Sequence, residues 1–239
     1  MGDPRAVELA RLAGHVADPT RASFLLALLD GRAWTVTELA AHAGVAVSTA
    51  TEHLNRLRQA GLIRERRQGR HRYLQIADAE VAQLVEDLAA RITPPRPAAR
   101  SLRAVTAHEA LIRARTCYDH LAGQLGVAIA DALIEQGFVD QRTGLALTPE
   151  GMAFLTDRLG IDPQALAPGR RPLIRACLDW TQRRTHLAGV VGAEICRTLL
   201  RRGWVERIGT GRAVRVTPAG RRALRDTLGL ASVQDDRLR

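Results

Sequence analysis

At Gly61 the hydrophobic period of this chain changes, inside one continuous stretch, VSTATEHLNRLRQAGLIRERRQGRHRYLQI, residues 47–76. Before that glycine, Ala50, Leu54 and Leu57 recur at i, i+4 and i+7, the spacing that places side chains on one face of a helix. After it, residues 62–66 and 71–76 have strand character and are joined by Arg67-Gln68-Gly69-Arg70, which reads as a hairpin. A helix that must bury one stripe and is followed at once by a hairpin leaves few folds open, because both must close over the same core.

The flanking segments narrow the choice. Residues 6–14 read as a first helix. Asp18-Pro19-Thr20 starts a second, with Asp18 as N-cap and Pro19 at the first helical position. Its apolar positions, Ala22, Leu25, Leu26 and Leu29, fall at helical spacing before Gly31 stops it. Thr35-Val36-Thr37-Glu38 opens a short third helix that runs through His42 and ends at Gly44, and Asp78 caps a longer helix reaching to about Ile92. Helix, helix, helix, helix, hairpin, helix is the order of a winged helix-turn-helix.

The clearest linker is Thr93-Pro94-Pro95-Arg96-Pro97. It divides the chain into a domain over 1–92, a linker over 93–100 and a second domain over 101–239. The second domain carries an internal repeat. Arg115-Thr116 through His120-Leu121-Ala122-Gly123 matches Arg184-Thr185-His186-Leu187-Ala188-Gly189, and each is followed by a helix. Gly137-Phe138-Val139 then matches Gly203-Trp204-Val205, Leu147-Thr148-Pro149-Glu150-Gly151 matches Val216-Thr217-Pro218-Ala219-Gly220, and Leu159-Gly160-Ile161 matches Leu228-Gly229-Leu230. Four anchors in one order imply two helix-hairpin-helix (winged-helix-like) pseudo-repeats, 115–161 and 184–230. The expected class is mainly α with small β-hairpins (α+β).

Charge bears on partners. The net charge is +10, and all 35 basic residues are arginine, whose planar fork matches phosphate. A GC-rich genome accounts for the missing lysine but not for the excess of positive charge. Aromatics are 3% of the chain, so its cores must come from Leu, Ala, Val and Ile, which favours packed helices over a β-sandwich. The three cysteines are odd in number and widely spaced, unlike a disulfide framework. No apolar run approaches the ~18 residues of a membrane span, and no apolar signal core is present, so the expectation is a cytoplasmic protein with no membrane partner.

The face of the fourth helix opposite its apolar stripe carries short hydroxyl and amide groups. A helix fits the major groove of duplex DNA, and the N-terminal part of the second helix of a helix-turn-helix reaches base edges. Ser48, Thr49, Thr51 and Glu52 are therefore the candidate base contacts. Thr37, Asn55, Arg56, Arg64, Arg66, Arg67, Arg70 and Arg72 are the candidate backbone contacts, which position without reading sequence. The alternative is a solvated helix face beside a charged hairpin that avoids edge pairing.

On these residues the chain resembles the ArsR/SmtB-type transcriptional repressors. Asp18-Pro19-Thr20-Arg21 before an apolar run carries the resemblance, with Thr37-Glu38-Leu39-Ala40, Ser48-x-x-Thr51-x-His53-Leu54-x-x-Leu57-x-x-Ala60-Gly61-Leu62-Ile63, and the segment 64–73 with Gly69-Arg70 at the wing tip. It covers about residues 5–92. The resemblance implies a homodimer paired through the first and last helices of that domain, an inverted-repeat operator, and repression relieved by a small effector. The chain departs from the family's metal-sensing pattern: it has no Cys-x-Cys pair in the third helix, no cysteine before Cys117, and no histidine within 78–92.

An effector site, if there is one, falls in the second domain. The candidates are Cys117, Tyr118, Asp119 and His120 in one cluster and Cys177, Asp179, Trp180 and His186 in the other. Cys117 and His120, three apart, would share a helical face; Cys177 and His186 would meet only through tertiary packing. Pseudo-symmetry would bring His120 and His186 together, and a metal ion, if bound, would take Cys117, His120, Cys177 and His186. Structural packing, a dimerisation module without ligand, an organic-ligand pocket and thiol sensing remain open beside that reading, and Cys196 reads as core. DNA binding itself needs no cofactor.

Competing functions are less well supported. Gly209-Thr210-Gly211-Arg212 reads as a hairpin turn, no Walker lysine exists, and no catalytic constellation is visible, so an enzyme fused to a DNA-binding module is disfavoured. An architectural or RNA-binding winged helix lacks the aromatic platforms of single-strand recognition.

Overall fold

The computed structural model of the protein describes residues 3–69, 71–92, 102–142, 144–209 and 211–230. The chain divides into two units, Met1–Leu88 and Ala89–Arg239. The linker expected over 93–100 and the wing-tip Arg70 lie outside the described residues. Among those described, no helix is long and apolar enough to cross a membrane.

Caps set the helices of the first unit. Asp3 accepts from the Arg5 amide before α1 (Pro4–Val16), and Asp18 accepts from the Arg21 amide before α2 (Pro19–Leu28). The repeated Asp-Pro signal starts α1 two residues earlier than its apolar spacing indicates. In α2 the buried large apolar side chains are Phe24, Leu25 and Leu28, with Leu29 at the cap, whereas Leu26 is 41% exposed. The expected stripe was thus out of phase at Leu26.

A capping box opens α3 (Val36–Ala43): the Glu38 carboxylate accepts from the Thr35 amide at 2.7 Å, and the Thr35 hydroxyl accepts from the Glu38 amide at 3.3 Å. Gly44, at φ +67°, turns the chain, and the Val45 amide closes on the Ala40 carbonyl at 3.0 Å before α4 (Val47–Gln59). Ala50, Leu54 and Leu57 of α4 are buried, as their spacing requires.

The period change at Gly61 becomes β2 (Ile63–Gln68) paired antiparallel with β3 (His71–Ile76), from Ile63↔Ile76 to Gln68↔His71. Arg67 and Gln68 are strand residues, so the turn is shorter than expected. Trp34 and Thr35 form β1 (Trp34–Thr35) on the far edge of β3, giving the order β1-β3-β2. Buried Asp30 holds β1 in place, accepting from the Trp34 indole at 3.1 Å and from Arg32 at 2.7 Å. Asp78 caps α5 (Ala79–Ala89) through the Glu80 and Val81 amides. The helix stops at Ala89, short of Ile92.

The second unit begins with α6 (Leu102–Arg113). A hairpin, β4 (Arg115–Cys117) and β5 (His120–Ala122), leads into α7 (Gly123–Glu135). A second hairpin, β6 (Val139–Asp140) and β7 (Ala146–Leu147), leads into α8 (Pro149–Ala153), which continues as a π-helical turn over Phe154–Arg158. After a 3-10 turn at Pro163–Leu166 the order recurs: β8 (Arg175–Leu178), β9 (Thr185–Ala188), α9 (Gly189–Arg201), β10 (Val205–Arg207), β11 (Val214–Val216) and α10 (Pro218–Leu228).

Local chemistry recurs with it. Thr148 accepts from the Gly151 amide and donates to the Gly137 carbonyl at 2.9 Å; Thr217 accepts from the Gly220 amide and donates to the Gly203 carbonyl at 2.7 Å. One hydroxyl thus caps the last helix and ties it back to the preceding turn. The two segments are crossed, since β5 packs on α9 and β9 packs on α7. A Cβ on Gly126 would lie 2.4 Å from the Leu121 carbonyl oxygen and 3.6 Å from His186 Cβ; one on Gly192 would lie 2.2 Å from the Leu187 carbonyl oxygen and 3.2 Å from His120 Cβ. Each glycine therefore admits a hairpin strand and the opposite histidine. Leu125, Ile129, Leu133, Val191, Ile195 and Leu199 fill the shared core.

Candidate functional site

Helix α4 presents Ser48 and Thr49, both exposed, on its first turn. Thr51 is half-buried and donates its hydroxyl back to the Val47 carbonyl at 2.7 Å, leaving its oxygen lone pairs and methyl group for a partner. Glu52 is held by Arg56 at 2.5 Å, an i,i+4 pair on the outer face. Thr37 is exposed on α3, and Arg58, outside the expected set, is exposed on the last turn of α4.

On the wing, Arg64, Arg66 and Arg67 are exposed. Arg72 differs: it is half-buried, donates to Glu65 at 2.7 Å and reaches the Asn55 side chain at 3.4 Å. Arg67 also donates to Glu65, at 3.0 Å. Hydrogen bonds from Arg72 and then Arg67 hold the Glu65 carboxyl down at about 2. Arg72 and Asn55 therefore join the wing to α4, while Arg64, Arg66 and Arg67 make up its outer charge.

A residue missed as functional orients this face. Arg21 is 9% exposed, donates to the His15 and Gly14 carbonyls at 2.6 and 2.9 Å, and lies 3.4 Å from His53 Nδ1 on α4. It clamps the end of α1 against α4. Its place directly after Asp18-Pro19-Thr20 was the available signal.

In the second unit four of the expected residues converge, by a different route from the one foreseen. Cys117 and His120 share no helix: they are directly opposed partners across β4 and β5, flanking the turn 118–119, where Tyr118 takes φ +57°. Cys177 and His186 need no tertiary packing to meet, being direct cross-strand partners on β8 and β9. The two hairpins then face each other, with Cys117 Sγ 3.8 Å from Cys177 Sγ and His120 Nε2 3.1 Å from His186 Nε2. The ligand atoms of all four lie within 4.8 Å of one another, and every one of these residues is buried.

A carboxylate stands behind each ring. Asp119 Oδ1 is 3.3 Å from His120 Nδ1, and Asp179 Oδ2 is 3.9 Å from His186 Nδ1. Each carboxylate is pinned by an arginine: Arg171 donates to Asp119 at 2.5 and 3.0 Å, and buried Arg115 donates to Asp179 at 2.9 Å. Asp179 also accepts from the Gly123, Thr181 and Gln182 amides. Trp180 lies under the Arg115 guanidinium at 4.5 Å. Neither arginine was foreseen; Arg171, in a Gly-Arg-Arg-Pro run, reads in sequence as loop charge.

The electrostatics follow from this packing. Burial opposes the charged form of His120, but Asp119 and Cys177 outweigh it and raise its pKa to about 9. The Cys177 thiol is held far below its usual range, first by Cys117 and then by the two histidines, against the cost of burial. Cys196 behaves oppositely: burial in the apolar core pushes it up to about 12. Cys177 is thus poised as a thiolate, while Cys196 is apolar filling.

The family described as Helix-turn-helix domain matches residues 16–66. The HTH-type transcriptional regulator YdfF of Bacillus subtilis is 38% identical over 223 residues, 93% of this chain and 97% of YdfF, so the likeness runs through both units. The HTH-type transcriptional regulator CmtR of Mycobacterium tuberculosis is 40% identical over 84 residues, 35% of this chain and 70% of CmtR. Among solved structures, the transcriptional repressor BigR from Xylella fastidiosa aligns with a TM-score of 0.35 and 27% identity, over 38% of this chain and 92% of that one. The chain belongs to the helix-turn-helix transcriptional regulators, with an ArsR/SmtB-type DNA-binding domain and a long second unit that it has in common with YdfF.

Proposed function

We propose that the protein is a homodimeric repressor that binds an inverted-repeat operator, reads bases with Ser48, Thr49, Thr51 and Glu52, and is released by an effector acting on the second unit. The observation that carries this is the pairing of an exposed hydroxyl-bearing first turn on α4 with the outer arginines Arg64, Arg66 and Arg67 of the wing. Thr37, Asn55, Arg56, Arg70 and Arg72 complete the backbone contacts, with Arg72 and Asn55 also bracing the wing.

Dimerisation through the first and last helices of the domain is supported by their unburied apolar residues. Val7 and Leu9 of α1 are 70% and 68% exposed, and Leu84 and Leu88 of α5 are 36% and 46% exposed, in a unit whose other helices bury most of theirs. The protein acts by binding and release, with no catalytic step.

Selection of duplexes from a random library by the full chain tests this reading. The expected result is an inverted repeat bound by two chains. A single half-site, or equal affinity for every duplex, would overturn it. Residues 1–95 alone should keep operator binding and lose the response to inducer.

A further inference from the structure

We propose that Cys117, His120, Cys177 and His186 form a closed tetrahedral site for one zinc-class divalent ion, which fastens the two hairpins of the second unit to each other. The inference is independent of the DNA reading and rests on this cluster alone.

Distance is the first argument. With bonds of about 2.3 Å to sulfur and about 2.0–2.1 Å to nitrogen, tetrahedral zinc holds its two sulfurs about 3.8 Å and its two nitrogens about 3.3 Å apart. Here the sulfurs are 3.8 Å and the nitrogens 3.1 Å apart. A disulfide would need the sulfurs at about 2.05 Å, well inside the observed separation, and would leave the facing imidazoles unexplained.

Proton positions are the second argument. Asp119 and Asp179 lie behind the Nδ1 atoms, and a carboxylate there favours the proton on Nδ1. With both rings neutral, the two Nε2 lone pairs meet across 3.1 Å, a gap that calls for a proton or a metal cation between them. Among the described residues, buried His186 Nδ1 has no hydrogen-bond partner, its nearest carboxylate oxygen being at 3.9 Å. A metal that polarises the ring would strengthen that contact.

Charge is the third. Two thiolates balance a divalent ion, and Asp119 with Arg171 and Asp179 with Arg115 balance themselves, so the loaded cluster is neutral, as burial demands. Each thiol that ligates releases its proton to solvent, while the histidines bind as neutral rings. Thiolate and imidazole in tetrahedral array select zinc, cobalt(II) or cadmium over magnesium, calcium or manganese. Exposures of 2% for Cys117, 3% for His120, 3% for Cys177 and 1% for His186 leave no open coordination position, so the site fastens and does not catalyse.

The experiment is titration of the full chain, reduced and stripped with chelator, using cobalt(II) and then zinc. One equivalent of cobalt should give the intense visible bands of tetrahedral coordination with sulfur-to-cobalt charge transfer, and zinc should displace it. Zinc should also raise the melting temperature. Cys177→Ser and His186→Ala should lose stoichiometric binding, Asp119→Asn should weaken it by about 10–100-fold, and Cys196→Ser should leave it unchanged. A reduced wild-type protein that binds no cobalt, that gives the weak spectrum of six-coordinate cobalt, or whose two thiols alkylate as freely with zinc as without it would overturn the site. Because the wild-type titration decides on its own, a variant that fails to fold does not rescue the proposal.

Discussion

His120 and His186 stand 66 residues apart in sequence, yet their Nε2 atoms are 3.1 Å apart and their rings stack with centroids at 5.0 Å. Each ring lies over the helix that follows the other hairpin, beside Gly192 and Gly126 respectively. The separation of the two rings is therefore governed by helix packing as well as by the hairpins that carry them. Chemistry and core packing meet at the same two glycines.

Gly126→Ala and Gly192→Ala should each destabilise the second unit by about 1–3 kcal/mol or more, because the added methyl meets backbone that cannot step aside. Gly14→Ala, in α1 with nothing within 4 Å of its Cβ, should instead be neutral or stabilise by about 0.5–1 kcal/mol. Thermal unfolding of the three variants checks the contrast. Equal melting temperatures would remove the close-approach argument.

On the wing, Arg66→Ala should weaken binding to every duplex alike and make the salt slope shallower by about 0.9 for each phosphate that is no longer neutralised. Arg70→Ala should do the same. Arg72→Ala should behave differently, since Arg72 is already bonded to Glu65 and Asn55: it should lower the stability of the first unit as well as DNA affinity. Binding isotherms at several salt concentrations, beside urea unfolding, separate the two effects.

Thr51→Ala should cost about 1–3 kcal/mol on the cognate operator and little on random duplex. Its hydroxyl proton is spent on Val47, so the loss should concentrate where the base partner is a donor or a thymine methyl. Competition with single-base operator variants reads this directly.

Acid should loosen the wing in a defined window. The Glu65 carboxyl falls from an ordinary 4.5 to about 2 beside Arg72 and Arg67, so its contribution is fully present above pH 4.5 and is lost as pH falls toward 2. Glu65→Gln should flatten the pH dependence of unfolding in that interval. An unchanged profile would mean that the carboxylate stabilises nothing.

Much of the first unit was legible because long signals agree: caps at Asp18 and Thr35, a 3.6-residue period in 47–57, and a switch to strands at Gly61. β1 escaped because Trp34–Thr35 is too short to show any period and exists only by pairing with β3. The β4–β5 and β8–β9 hairpins of the second unit escaped for a related reason. Residues three apart sit on one face of a helix, but they also sit opposite each other across a tight β-turn, so Cys117 and His120 were brought together correctly on a mistaken backbone. Arg115 was legible only as a repeat anchor and Arg171 only as loop charge, since a buried arginine and a loop arginine look identical until their aspartates are placed.

The two hairpins close differently. The turn 118–119 passes through the left-handed conformation of Tyr118, whereas the loop 179–184 is longer, folds around the Asp179 side chain, and is cinched by the Asp179 amide on the Arg184 carbonyl at 2.8 Å. Identical subunits meeting about a twofold axis must change both sides of their contact with every substitution. One chain that carries both halves is free of that constraint. Selection can lengthen, charge or stiffen the loop 179–184 while the turn 118–119 stays as it is, so one side of the cluster can be tuned as a lever against a fixed counterpart.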